Sequence, residues 1–360
     1  MSEMRAILAE TASRLFAEHC GRDAVVRARA AWPTALWRAI DDAGLASASI
    51  AEARGGPGAD LGDVMAILRA AGRHAAPVPL AETLLAAWML SESGVAVPSG
   101  PLAVAPMPGE DLVLTRADRG WRLAGTARKI PWARDCRALA VLARDGDAWR
   151  IALVPAERLS ITEGRNLAGE PRDDVRLDLT LAADEVAPAG HGVLPDTVLR
   201  FGALARASQM AGALEAALEL TVRYANERVQ FGRPIAKFQA IQQQVAVLAA
   251  NVAAAGAACD AAIAAAEAQW GEFAIAAAKA RINEAASLAA AIAHQVHGAM
   301  GFTAEHALHL FTTRLWSWRE EFGDESFWWA RLGAMAAAAG GDGFWPFLTR
   351  PGDMPAVPLE

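Results

Sequence analysis

Arg228, Phe231, Gly232 and Pro234 lie close together in the segment YANERVQFGRPIAKFQAIQQQVA (224–246). A guanidinium is a planar fork of donors suited to a pyrophosphate. Phe231 adds a flat apolar face, and Gly232 and Pro234 interrupt a helix so that the loop can approach a bulky ligand. Further along, HQVHGAMGFTAEHALHLFTTRLW (294–316) supplies Gln295, a neutral amide able to bond a phosphate or an adenine edge. It also supplies Gly298 and Gly301, which remove side chains where a ligand's backbone must come close. Taken singly, these are a surface arginine, a core phenylalanine and helix-capping glycines. Taken together, their chemistry fits a dinucleotide site.

The second segment also carries two H-x-x-H pairs, His294/His297 and His306/His309, with Glu305 beside them. At helical spacing each pair could ligate a metal if a third group completed the shell. Because they flank and follow the glycines, structural or surface histidines are expected, and no metal site. Trp316, Trp318, Trp328 and Trp329 are expected in core or subunit contacts, with bundle tetramerisation favoured over an acyl pocket. Arg314, Arg319, Glu320, Glu321, Asp324 and Glu325 are expected to form a solvated face or an ion-pair network. No G-x-G-x-x-G follows a strand pattern, and G-x-x-x-x-G-K-[ST] and G-x-S-x-G do not occur. That counts against a Rossmann oxidoreductase, a P-loop enzyme and an α/β-hydrolase.

The elements that must position these groups are mostly helical, since the 360 residues are 54% hydrophobic and rich in Ala, the best helix former. Residues 1–97 read as a helical domain. Leu8, Ala12 and Leu15 begin one apolar stripe, and Leu36, Ile40 and Leu45 another. Residues 98–192 alternate short apolar runs with turns, and Arg144-Asp145-Gly146-Asp147 between two such runs predicts a β-hairpin. Residues 193–345 return to helical spacing: Ile241, Val245, Leu248 and Val252 make one face, and stretches at 260–297 and 304–339 follow. Residues 346–360 predict an irregular tail. A net charge of −7 gives no basic footprint for nucleic acid. The N-terminus does not read as a signal peptide, and Asn251 and Asp260 interrupt the longest Ala-rich run, so a cytoplasmic chain without a membrane span is expected. Cys20, Cys136 and Cys259 lack CxxC spacing and are expected to be reduced thiols.

The two opening segments resemble signatures of the acyl-CoA dehydrogenase family, in the family's order. One matches R-x-x-F-G-x-P-I-x-x-x-Q; the other matches Q-x-x-G-G-x-G-[FY]-x-x-E, with Ala299 in place of the second Gly. AEARGGPGADLGD (51–63) resembles the family's P-E-x-x-G-G-x-G loop, and GWRLAGTARKIPWA (120–133) the strand after its flavin-contacting loop. The resemblance implies a mainly α fold with a small β domain: an N-terminal helical domain, a middle β-barrel or sandwich and a C-terminal four-helix bundle. It implies FAD as cofactor, an acyl-CoA thioester dehydrogenated between its α and β carbons, electron-transfer flavoprotein as acceptor, and a homo- or heterotetramer with a paralogue. It assigns Arg228, Phe231, Gln295, Gly298 and Gly301 to the ADP half of FAD, reached from the neighbouring subunit.

The family's base, the Glu of E-G-T, falls on Phe322 of Phe322-Gly323-Asp324. Glu321 is the nearest catalytic candidate, but a slip of one residue turns a helical side chain by about 100°. The family's other base position falls near Gly202, where LRFGALARA (199–207) holds no acid and Asp196 is the nearest. The T-E-P-x-x-G-S-D loop has no counterpart in PLAVAPMPGEDLVLTRADRG (101–120). The flavin-side Trp-Ile-Thr falls on Lys129-Ile130-Pro131, whose proline cannot donate, and Trp132 beside it is expected to be structural. Two readings stay open. One is a self-sufficient enzyme using Glu321. The other is the non-catalytic subunit of a heteromer, completing the FAD adenine pocket of a base-bearing partner, as in family members acting on bulky substrates such as steroid side chains. A third, a member repurposed for another flavin reaction, has no residue in its favour.

Overall fold

Apolar stripes at helical spacing fold the first ninety or so residues into α1 (Glu3–His19), α2 (Arg22–Arg27), α3 (Thr34–Asp42), α4 (Leu61–Arg73) and α5 (Leu80–Glu92). The computed structural model describes residues 3–107, 110–269 and 271–349. Ala12 of the first expected stripe is buried, as are Leu36, Ile40 and Leu45 of the second. α5 is apolar all round and is buried from Leu80 through Ala87, as a helix without a polar face must be.

Eight strands follow: β1 (Leu102–Ala105), β2 (Val113–Ala117), β3 (Gly120–Pro131), β4 (Ala138–Asp145), β5 (Ala148–Pro155), β6 (Ser160–Thr162), β7 (Arg172–Leu181) and β8 (Val186–Pro188). They form one sheet in the order β6-β7-β3-β2-β4-β5-β8, with β1 pairing β4 in parallel. The expected hairpin is present: Asp145 pairs with Ala148 across Gly146 and Asp147, and Gly146 has φ +61°. Alternation along β3 and β7 turns Trp121, Leu123, Val175 and Leu177 into the core under the sheet. Between Ala127 and Ile130 the register of β3 against β7 shifts, which is a bulge.

The remaining chain is α6 (Pro195–Glu227), α7 (Gln239–Gln269), α8 (Glu272–His297), α9 (Leu308–Trp318) and α10 (Glu325–Thr349). Three expectations are corrected here. The stretch 260–297 is two helices, because Gly271 caps α8 and an added Cβ there would meet Ala265 Cβ at 2.8 Å. The stretch 304–339 is interrupted by a turn at 319–324 carrying Phe322 and Gly323, both with positive φ. The tail is helical through Thr349, after a break at Gly340 (φ +67°), and residues 350–360 lie outside the described residues. α7 is long and apolar enough to cross a bilayer by length and composition, yet it packs along α8 with Leu248, Val252, Ala255 and Cys259 buried.

By contacts the chain divides into two units. One runs to His19 and takes Val26–Ile67 and Pro77–Gly202; the other takes Cys20–Val25, Leu68–Ala76 and the described residues from Ala203 onward. The β segment and most of the N-terminal helices, read from the sequence as separate domains, therefore share one unit. Inside the second unit, Gly72 and Gly212 let two backbones touch. A Cβ on Gly72 would sit 1.9 Å from the Gln209 carbonyl oxygen, and one on Gly212 2.0 Å from that of Arg69. Arg69 and Arg73 flank this contact and donate to Glu215 (2.9 and 3.2 Å).

Candidate functional site: a nucleotide cleft and a strained hairpin

A two-stranded hairpin, Val229–Gln230 with Arg233–Pro234, joins α6 to α7. Its two turn residues, Phe231 (φ +52°) and Gly232 (φ +78°), are both left-handed, as a tight two-residue hairpin turn requires. Glycine accepts this freely, whereas a phenylalanine there costs roughly 1 kcal/mol. The ring is 92% exposed and meets only Phe238, edge-on at 6.1 Å, among the described residues. The Arg228 guanidinium is exposed as well and forms no ion pair or side-chain hydrogen bond among the described residues. The hairpin therefore holds a cation and a flat ring in solvent at a conformational cost. Arg228 is a surface arginine, as the surface-arginine, core-phenylalanine alternative has it, but Phe231 is outside the core.

The end of α8 and the turn after it build a cleft of about 280 Å³, lined by Ala290, Ala291, His294, Gln295, Gly298, Phe302 and Trp316. Neither Arg228 nor Phe231 lines it. The two alanines leave the space, and the exposed Gln295 amide borders it. Phe302, His294 and Trp316 form a file of rings: Phe302 stacks on His294 at 4.4 Å and Trp316 lies nearly parallel to it at 5.9 Å. Gly298 ends α8 with φ +58° and ψ −142°, a conformation side chains rarely adopt, and an added Cβ would meet nothing within 4 Å. Its open side matches the expected close approach of a ligand. Gly301 is different: it is buried, and a Cβ there would meet His297 Cβ at 2.9 Å and His294 Nδ1 at 3.1 Å. It is glycine so that the turn can sit on those rings, not so that a ligand can approach it.

The histidines form no group with metal-ligating geometry among the described residues. His294 and His297 are buried, and their pKa values are lowered chiefly by that burial. Trp318 and Trp328 are core residues and Trp329 is exposed. The expected ion-pair network exists, with Arg319 contacting Glu320 and Glu325.

Glu321 belongs to a buried polar knot. Arg206, 2% exposed, donates from Nε to Glu321 Oε2 at 2.7 Å and from Nη1 to Gln209 Oε1 at 2.6 Å. Beside it Lys279 is fully buried, and its three donors go to Asn283 Oδ1 and to the carbonyls of Arg319 and Gly323, at 2.9–3.1 Å. Burial pushes the Lys279 pKa down to about 7, against the pull of Glu321 and Glu325. Phe322 is buried and its carbonyl accepts from Trp328 Nε1 at 3.0 Å. The carboxylate nearest the family's base position is thus committed to a guanidinium. The alternative positions are bare too: Gly202 lies buried inside α6, and Asp196 pairs with Arg200 at 2.7 Å.

On β3 the bulge answers for its own polarity. The Arg128 N–H donates to Glu110 Oε2 and the Lys129 N–H to Asp174 Oδ1, both at 2.9 Å. Pro131 has no donor, and Trp132 is buried edge-on against Trp32 at 6.3 Å. The sequence could flag Pro131; nothing in it marked Arg206, Lys279 or the ring file of His294, Phe302 and Trp316 as working residues.

The chain is a helical, then β, then helical succession in which a glycine ends α8 beside an open cleft. The family model for the acyl-CoA dehydrogenase C-terminal domain matches residues 190–323, and that for the N-terminal domain residues 2–96. Acyl-CoA dehydrogenase IpdE2 of Mycobacterium tuberculosis is 31% identical over 321 residues, 87% of this chain and 91% of that protein. Among solved structures, the ChsE4-ChsE5 complex from Mycobacterium tuberculosis matches at 23% identity and TM-score 0.85, over 94% of this chain and 98% of that one. The Tcur3481-Tcur3483 steroid acyl-CoA dehydrogenase, in a G363A variant, matches at 28% identity and TM-score 0.85, over 94% and 99%. The chain belongs to the acyl-CoA dehydrogenase family, whose cofactor is FAD. The residues fit that group unevenly. The open side of Gly298, the Gln295 amide and the unpaired Arg228 suit its ADP half, while the self-satisfied donors of β3 offer nothing to the flavin ring.

Proposed function

We propose that this chain is the non-catalytic subunit of a heteromeric acyl-CoA dehydrogenase acting on a bulky, steroid-type acyl-CoA. In that assembly it completes the ADP seat of FAD bound chiefly by a base-bearing paralogue. The observation that carries the reading is the pairing of Glu321 with buried Arg206, because it commits the carboxylate nearest the base position. Two structural relatives, the ChsE4-ChsE5 complex and the Tcur3481-Tcur3483 steroid acyl-CoA dehydrogenase, support a two-chain assembly.

When bound, FAD supplies the hydride acceptor for α,β-dehydrogenation. This chain's part is binding. Arg228 presents its fork to the pyrophosphate, and Phe231 covers an apolar flank of the nucleotide across the subunit boundary. Gln295 bonds the adenine or phosphate edge, and the Gly298 turn leaves room for it. Electron-transfer flavoprotein is the acceptor in this scheme, and the assembly is cytoplasmic.

The test is purification alone and together with a base-bearing paralogue, followed by a visible absorbance scan. The proposal expects little flavin in the chain alone and a flavin-loaded heterotetramer on co-expression. Arg228→Ala should weaken flavin retention in the complex about tenfold or more, a charged hydrogen bond being worth roughly 1.5–3 kcal/mol. A yellow chain that dehydrogenates acyl-CoA unaided overturns the proposal.

A further inference from the structure

His294 and His297 are each fixed in one uncharged tautomer by what they touch. Thr312 Oγ1 can donate to the Leu308 carbonyl (3.4 Å) while accepting at 2.9 Å from His294 Nε2–H, and the tautomer carrying that proton leaves only a lone pair, not an N–H, unpartnered at Nδ1. The Ala293 carbonyl can only accept, so at 2.7 Å it takes a bond from His297 Nδ1–H. Each ring is left with one lone-pair nitrogen, His294 Nδ1 and His297 Nε2, and both are buried without a hydrogen-bond partner. A proton added to either would be a buried N–H⁺ facing no acceptor.

The surroundings offer that charge no counter-ion. Tyr224 of α6 stacks on His297 at 4.5 Å, and His306 packs against it at 4.6 Å. His306 accepts the Leu308 N–H at Nδ1 and feels Arg223 of α6. His309 of α9 and His306 act on His294, and His294 acts on His297. The charged neighbours all disfavour a second positive charge, and against burial and these charges only the Ala293 carbonyl favours one, at His297. The turn Gly298–Phe302 rests on these two side chains, with Gly301 against the His297 Cβ and the His294 ring and Phe302 stacked on His294.

We infer that His294 and His297 are the positioning residues of the cleft, holding the Gly298–Phe302 turn, and through it Gln295 and Gly298, only while both rings are uncharged. The link to nucleotide binding rests on the reading of this cleft as the ADP seat. The direction follows from linkage. Both groups titrate lower in the folded chain than in the unfolded one, so the unfolded chain binds more protons in acid. The turn is therefore secure at neutral pH and above, and loosens as the solution is acidified through the ordinary histidine value.

The experiment uses the full chain and ADP as probe, from pH about 8 to about 5.5, the interval spanning the ordinary histidine value. Hydrogen exchange of residues 298–302, corrected for intrinsic rates, and calorimetric ADP affinity are followed together. Protection of the turn should fall in acid, and ADP affinity should fall roughly tenfold with it. The double variant His294→Gln and His297→Asn keeps donors toward Thr312 and Ala293 but cannot take a proton, so its protection should stay flat. Protection that stays flat in the unsubstituted chain, or falls equally in the variant, overturns the inference. Should the variant not fold, the imidazole C2–H resonances of the unsubstituted chain decide: titration in step with lost protection supports the inference, and titration without it overturns it. Protection that falls in acid while ADP binds at no pH keeps the positioning role and removes the nucleotide assignment.

Discussion

Replacing Glu321 with Gln separates a structural carboxylate from a catalytic one. The Glu321 side chain is 11% exposed and that of Arg206 2%, so water does little to screen or replace their contact. Removing one partner of such a buried pair outright costs about 3–5 kcal/mol. Gln keeps an acceptor oxygen for Arg206 Nε but loses the charge, which leaves a cost of roughly 2 kcal/mol, the worth of a charged hydrogen bond. With a urea slope of about 2 kcal/mol per molar, the unfolding midpoint of the second unit should drop by about 1 M. Anaerobic bleaching of flavin by acyl-CoA, measured in the complex with a base-bearing paralogue, should be unchanged where the complex is folded. Bleaching abolished at an unchanged urea midpoint would refute this reasoning and return Glu321 to the role of base.

Gly212→Ala places a methyl 2.0 Å from the Arg69 carbonyl oxygen, and backbone cannot swing aside as a side chain can. A loss of about 3 kcal/mol is expected by urea unfolding. Lys279 has a pKa of about 7 in the folded chain, against 10.5 when free. The unfolded chain therefore holds more protons between those values, and stability should rise as pH climbs through that window. Lys279→Met should flatten that rise in the urea midpoint, although it also strips donors from the carbonyls of Arg319 and Gly323.

The helical segments were legible because their apolar positions recur with helical period, as the burial of Leu36, Ile40, Leu248 and Val252 bears out. The β4–β5 hairpin was legible because Gly146 supplies a turn that few other residues permit. The helix breaks at Gly271 and at Phe322-Gly323 were not, since helix-compatible sequence on both sides hides a stop that depends on what the added Cβ would strike. At the site, chain order and residue type marked Gln295 and Gly298 as bordering an opening, and the cleft is there. The same logic missed the close packing at Gly301, which depends on His297 and His294 of the preceding helix turns lying beneath it. It also missed Arg206 and Lys279, because pairing over 115 residues and donation over 40 leave no local pattern.

The carboxylates of Glu110 and Asp174 that cap the β3 bulge also bear on how this chain exists before it finds anything to bind. A protein whose pocket donors wait for a ligand is destabilised without it, and its abundance rises and falls with cofactor supply. Here two N–H groups of the bulge, those of Arg128 and Lys129, have carboxylate acceptors from this same chain. The backbone of that bulge is therefore held the same way with or without a ligand beside it, whereas the Arg228 side chain has no ion pair or side-chain hydrogen bond among the described residues.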